Sequence, residues 1–430
     1  MNTRTVSVFL SWALAVASCA PAATPVVDPT QAVEPTQALP TETPAAIVAP
    51  TDVPTQAPVV EAPTSNLREG CVEQYAEGVD YFPEKATVSY ATGLSISYHG
   101  NYKVLSVQTP YPGGQPIEYA LVQCGTPAPE GFEESQIVEV PVKRVVSLST
   151  TNLPFLDRLG VIDRLVAVDD ATYASNAKVL KGIEDGSVAV IGTGPQVNVE
   201  QALALEPDLV LAYGSGSPEY DTYPKLQEAG LKIVFNGDWL ENAPLGRAEW
   251  GKFIAAFFNA EGDAEDAFDQ TATKYETLQA QVRAVDTKPT VLIGTPFQGT
   301  WYVPGGASFG AEYLYDAGAT YPWADDPSTG SLGLSFEAVF EQAGEADVWL
   351  NLGYVADLKG LTDQDSRFTE FKAYQTGAIW NNDARTSAMG GNDYYETAAA
   401  EPDVVLADLI SILHPEVLPD HTLVYYRKLQ

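Results

Sequence analysis

His99, His414 and His421 are the three histidines of the chain, one in a turn between short extended runs and two near the C-terminus. None falls in a strand-end loop where an imidazole would serve as a general base or metal ligand. There is no Gly-x-Ser-x-Gly elbow, no phosphate loop and no HExxH helix. The many acids single out no carboxylate pair, so no catalytic residue is assigned, and a hydrolytic enzyme on an α/β scaffold is a minor reading. What recurs after the apolar runs is a different set. It comprises Ser149, Thr150, Thr151 and Asn152; Thr193; Tyr213 with Gly214 and Ser215; Trp301 and Tyr302 with Gly305 and Gly306; and Arg385 with Asn392, Tyr394 and Tyr395. Aromatic and hydroxyl surfaces with few charges suit a bulky, partly apolar ligand. A bare zinc or manganese ion would want clustered histidines, so no metal ligand and no cofactor are assigned.

These residues need a scaffold, and from Lys143 onward the sequence alternates strand and helix patterns. RVVSLST, RLVAVD, VAVIG, LVLAYG and LKIVFNG read as strands, with a helix opened by Asn152 and Pro154 and running through Leu159, and others at Glu200 to Leu205 and Tyr223 to Ala229. Strand, helix and strand at this pitch predict a parallel α/β lobe, whose ligands bind at the carboxyl ends of the strands. The plan repeats later. TVLIGTP and DVWLNLG are strands, Phe309 to Gly318 and Phe336 to Ala343 helices, and Pro402 to His414 a closing helix. Glu200 and Glu337 hold matching places at helix heads in the two halves, where the helix dipole favours a carboxylate. Between the halves, Phe268, Thr271, Tyr275, Leu278, Val282 and Val285 recur at spacings of three and four, predicting one amphipathic helix from Asp263 to Asp286 with Asp263 as N-cap.

Upstream, Ala86 to Gly125 alternates in short runs separated by His99-Gly100-Asn101 and Pro110 to Pro116, the pattern of an antiparallel meander. Cys71 and Cys124 flank it, and a disulfide is favoured over two buried thiols in an exported chain. Arg4, the apolar run Val6 to Val16 and Val16-Ala17-Ser18-Cys19 have the form of a bacterial lipoprotein signal cut before a lipid-bearing Cys19, with an ordinary secretory signal as the alternative. Either reading exports the protein, to the outer face of the cytoplasmic membrane or the periplasm. Ala20 to Ser65, rich in Pro, Thr, Ala and Gln and without Lys or Arg, reads as a disordered tether. The expected divisions are therefore 1–18, 19–65, 66–140, 141–243, 244–287 and 288–430. The formal net charge of -34 argues against nucleic acid or an anionic lipid surface as partner.

RVVSLSTTNLPFLDRLGVIDRLVAVDD, VNVEQALALEPDLVLAYG and the single long helix resemble the substrate-binding proteins of bacterial ABC importers for ferric siderophores and cobalamin. The resemblance runs from about Lys143 to Leu418; the meander lies outside it. It implies an α/β fold of two Rossmann-like lobes joined by a single long α-helix, here with an additional small N-terminal antiparallel β subdomain. It also implies a monomeric, membrane-anchored protein that carries a small-molecule metal chelate to the importer's membrane subunits. Mapped onto this chain, the ligand, an iron-siderophore complex or alternatively cobalamin, would meet Ser149, Thr150, Tyr173, Tyr213, Trp301, Tyr302, Arg385 and Tyr394. Glu200 and Glu337 would dock on the transporter.

Overall fold

The computed structural model describes residues 61–430 apart from 194, 195 and 218. The signal, Cys19 and nearly all of the tether lie outside the described residues. Among the described residues the first strands are β1 (Leu94–Tyr98), β2 (Tyr102–Val107), β3 (Ile117–Gln123) and β4 (Ile137–Val140), forming one sheet in that order. β1, β2 and β3 pair antiparallel, but β4 runs parallel to β3. The expected meander is thus a mixed sheet that extends past Gly125, because the segment after the disulfide returns along β3 before entering the first α/β unit. Cys71 and Cys124 are bonded, closing a separation of 53 residues.

The next segment carries β5 (Val145–Ser147), α1 (Leu153–Arg158), β6 (Leu165–Val168), α2 (Ala177–Asp185), β7 (Ala189–Val190), the small ribbon β8 (Gly192–Thr193) and β9 (Gln196–Val197), α3 (Val199–Ala204), β10 (Leu209–Ala212), α4 (Tyr223–Glu228) and β11 (Ile233–Phe235). β11, β10, β5, β6 and β7 form a parallel sheet in that order. Its central strands Val145–Ser147, Leu165–Val168 and Leu209–Ala212 are buried at every position, as a sheet covered on both faces requires. From β5 the chain proceeds to one side through β6 and later to the other through β10, so loops 148–152 and 213–217 diverge at a topological switch point.

Short helices α5 (Pro244–Glu249) and α6 (Gly251–Ala256) lead into α7 (Glu261–Val282). Its 22 residues span about 33 Å. The expected Asp263 cap is displaced, since the helix starts two residues earlier at Glu261, whose fully buried carboxylate accepts from Lys103 Nζ (2.5 Å) and Asn66 Nδ2 (2.9 Å). It stops at Val282 rather than Asp286, where the Val285 N–H closes a tighter turn onto the Val282 carbonyl and the chain turns toward the next strand. Ala264 packs in the core beneath the first sheet, whereas Phe268, Ala272, Tyr275 and Val282 pack in the core of the second.

The second half contains β12 (Val291–Ile293), β13 (Pro296–Phe297), β14 (Thr300–Pro304), α8 (Phe309–Asp316), β15 (Ser331–Leu334), α9 (Phe336–Ala343), β16 (Val348–Leu350), α10 (Leu358–Gln364), α11 (Lys372–Thr376), β17 (Ile379–Asn381), α12 (Pro402–Leu413) and β18 (Arg427–Lys428). β12, β16 and β17 are parallel, with β18 added antiparallel from the C-terminus. β13, β14 and β15 make a separate antiparallel sheet that the sequence pattern did not anticipate. Besides the chain connection through α7, non-covalent contacts join the halves. Residues 387–401 reach back to the first: Ser387 Oγ donates to the Ala174 carbonyl (2.9 Å), Ser175 Oγ donates to Asp393 (2.8 Å), and Arg158 donates to the Ala400 carbonyl (2.7 Å) and pairs with Glu401 (2.6 Å).

Candidate functional site

Exposed aromatic side chains gather just beyond the carboxyl ends of the parallel strands. Tyr173 follows β6, Tyr213 follows β10 and Trp239 follows β11; Phe297 follows β12 and Tyr354 follows β16. A large ring in water is ordinary when isolated; here five stand in loops that follow parallel strands of the two sheets. Tyr354 is the extreme case at 95% exposure. Among these, the sequence reading had Tyr173 and Tyr213 and missed Trp239, Phe297 and Tyr354. The signal was available, since each missed ring lies four residues past the end of a buried apolar run.

The loops beneath the rings are rigidly organised. Ser149 caps the turn that opens α1, accepting from the Thr151 N–H (3.3 Å) and sharing a hydroxyl bond with Thr151 Oγ1 (2.9 Å). Below it, the buried Asn152 bonds Ser147 Oγ (3.0 Å) and accepts from Asn236 Nδ2 (2.6 Å), tying the loop after β5 to the loop after β11. Thr151 also reaches Asp238 (3.5 Å), and Asp238 pairs with Arg247 (3.1 Å). The Arg247 guanidinium lies 4.4 Å over the Phe309 ring of α8, while its Nε is buried without a partner.

Arg247, Phe309, Tyr313, Tyr394 and Tyr395 line a recess of about 80 Å³. Tyr394 is half-buried at its wall, with its ring 5.7 Å from that of Tyr426, and burial pushes its phenol up to about 12. The recess thus joins the end of β11, through Asp238, to second-half residues from α8 and the 385–401 segment. Arg247 escaped the sequence reading because α5 carries no motif; only the approach of Asp238, Phe309 and Tyr394 gives it significance.

The remaining expected residues divide. Trp301 is withdrawn from the ligand surface. It is fully buried, donates to the Ile293 carbonyl (2.9 Å) and sits among Phe336, Trp349, Phe368 and Phe371. Adjacent strand residues face opposite ways, so Tyr302 is exposed instead, on the outer side of β14 beside Gly333. Thr150 is half-buried beside Ser149. Arg385 is half-exposed and pairs with Asp393 at 2.8 Å. Glu200 and Glu337 are exposed in the first turns of α3 and α9, whose caps are Asn198 and Ser335; Glu337 also pairs with Arg367 (3.2 Å).

Burial raises the Asp169 carboxyl, next to the β6 loop, to about 7, and burial followed by the charges of Asp169 and Asp221 raises the Tyr213 phenol. Among the described residues, the one group able to gather around a metal is Cys71, Cys124 and Glu139, and its two sulfurs are already joined to each other.

The fold thus has one α/β sheet in each half of the chain, with exposed aromatics in the strand-end loops of both. The chain belongs to the periplasmic binding protein family, which it matches over residues 145–386. It is 25% identical over 316 residues to an uncharacterized lipoprotein of Methanocaldococcus jannaschii, covering 70% of this chain and 73% of that one. It is 26% identical over 250 residues to an uncharacterized ABC transporter substrate-binding lipoprotein of Bacillus subtilis, covering 53% and 76%. Its fold is similar to that of a possible iron-binding periplasmic solute-binding protein of Staphylococcus epidermidis, with a TM-score of 0.50 at 19% identity over 63% of this chain and 98% of that one. Among the described residues, no helix is long and apolar enough to cross a membrane.

Proposed function

We propose that the protein captures a ferric siderophore at the strand-end loops of its two sheets and delivers it to the membrane subunits of an ABC importer, without transforming it. The observation that carries this reading is the set of exposed rings in the strand-end loops of both sheets, Tyr173, Tyr213, Trp239, Phe297 and Tyr354, together with the recess lined by Arg247. Flat rings bury the apolar faces of a large chelate, and a guanidinium that is always charged attracts its oxygen-rich, anionic side. Ser149 and Thr150 would supply hydroxyls at the switch point, and Arg385 and Tyr394 would meet the ligand from the second half. The family is a periplasmic binding protein class, and the B. subtilis relative is named an ABC transporter substrate-binding lipoprotein. Glu200 and Glu337 would meet cationic groups of the membrane subunits, and a lipid on Cys19 would hold the protein at the outer face of the cytoplasmic membrane.

The test is a thermal-shift and tryptophan-quenching titration with a ferric trihydroxamate, cyanocobalamin and hemin. Binding stabilises a folded protein in proportion to ligand concentration over Kd, so the ferric trihydroxamate should raise the melting temperature. Tyr354→Ala should then weaken binding about fivefold, the worth of ~1 kcal/mol of aromatic contact, with no change in unliganded melting. Stabilisation by cyanocobalamin alone would select the corrinoid reading, and no response to any of the three would refute a chelate cleft.

A further inference from the structure

The accessory sheet β1–β4 lies outside the family match, yet it is joined to the first half by buried polar contacts. Glu249 accepts from the N–H groups of Ser89, Tyr90 and Ala91, and Glu241 from those of Thr92 and Gly93. The sheet also covers the exposed edge of β11, where the Phe235 N–H donates to Tyr119 Oη (3.2 Å) and Lys232 Nζ donates to the Ile137 carbonyl (2.8 Å). An edge covered in this way gains an anchor as well as protection.

The connection between β2 and β3 goes further, because it reaches the strand-end loops themselves. Tyr111 packs its ring 5.6 Å from Phe235 and 6.2 Å from Tyr223. Three glycines admit the turn. A methyl on Gly214 would lie 2.9 Å from the Tyr111 Cβ, one on Gly216 would lie 2.8 Å from the Pro112 carbonyl oxygen, and one on Gly237 would lie 3.0 Å from the Thr109 carbonyl oxygen. Gly214 directly follows Tyr213, and Gly237 lies two residues before Trp239. The turn's backbone therefore packs on backbone at Gly216 and Gly237, and the Tyr111 side chain packs on backbone at Gly214, in the two loops that carry the first half's exposed rings after β10 and β11.

We infer that the Thr109–Pro112 turn of the accessory sheet is a positioning element of the ligand cleft, holding the loops of Tyr213 and Trp239 in their binding geometry. This rests on the cleft reading above. Tyr111 acts through Tyr213 and Trp239, so its removal should loosen those loops and lower affinity only where those rings are present.

Two measurements on the full-length protein test this. The first needs no ligand: amide hydrogen exchange in Tyr111→Ala should be about tenfold faster across 213–217 and 237–240 and unchanged across 294–297 and 352–356, with Tyr111→Phe restoring wild-type rates. The second is a double-mutant cycle read by ferric trihydroxamate binding. Tyr111→Ala should weaken affinity about tenfold in the wild-type background and less than about twofold in a background that carries Tyr213→Ala with Trp239→Ala. Unchanged exchange at 213–217, or equal acceleration in both halves, would overturn the inference. Equal affinity losses in the two backgrounds would overturn it as well. If the wild-type protein binds no ferric trihydroxamate, the ligand reading fails by itself and the exchange experiment still decides the role of the turn.

Discussion

Glu396→Gln should flatten part of the pH dependence of stability. Glu396 is fully buried in the segment that returns to the first half, where one carboxylate oxygen accepts from the Ser175 N–H (2.8 Å) and the other has no partner. Burial, opposed by the bonds from Ser175 and reinforced by the charge of Asp393, raises its carboxyl from 4.5 to about 7. Between those values the native protein holds a proton that the unfolded chain has released. The stability from this group is therefore fully present below pH 4.5, is lost as pH rises through about 7, and is flat above. A shift of this size corresponds to about 3 kcal/mol, at 1.36 kcal/mol for each pH unit. Asp169, raised by burial to about 7, acts in the same direction and persists in the variant, so the slope should be reduced rather than abolished. The depressed carboxyls Asp157, Asp347 and Asp365 start from 3.8 and move down, so they act at lower pH. Urea melts at pH 5, 6, 7 and 8 read the slope directly. If wild type and Glu396→Gln lose stability in parallel across this range, Glu396 is ionised throughout and the argument from its burial is wrong.

Other perturbations follow from the same contacts. Lys103→Met would leave Glu261 buried opposite an apolar side chain and should cost about 3 to 5 kcal/mol in a denaturant melt; replacing both members by methionine should recover most of that loss. Replacing Cys71 and Cys124 together by serine should lower stability by about 2 to 4 kcal/mol, with the same loss on reduction of the wild-type protein. Glu200→Arg with Glu337→Arg should leave the melting temperature and chelate affinity nearly unchanged while abolishing uptake in a reconstituted importer. Wild-type transport by that double variant would leave the two acids as helix-end charges only.

Local sequence determined the elements. β5, β6, β10, β11, β12 and β16 each lie within an apolar run visible in the chain, because a strand covered on both faces must be apolar throughout. The period of α7 was equally legible, since Phe268, Thr271, Tyr275 and Val282 form the buried seam of any helix with that spacing. Tertiary structure decided which side of each pattern mattered. Trp301 and Tyr302 alternate on one strand, and only the sheet they join assigns the first to the core and the second to solvent. α7 begins at Glu261 because Lys103 and Asn66, more than 150 residues earlier, neutralise and bond its carboxylate. Arg247 acquires its place from Asp238, Phe309 and Tyr394, and the β2–β3 turn meets Gly214 and Gly237 across more than 100 residues. Periodicity reports the local environment that a short segment needs; it carries no record of which distant segment supplies it.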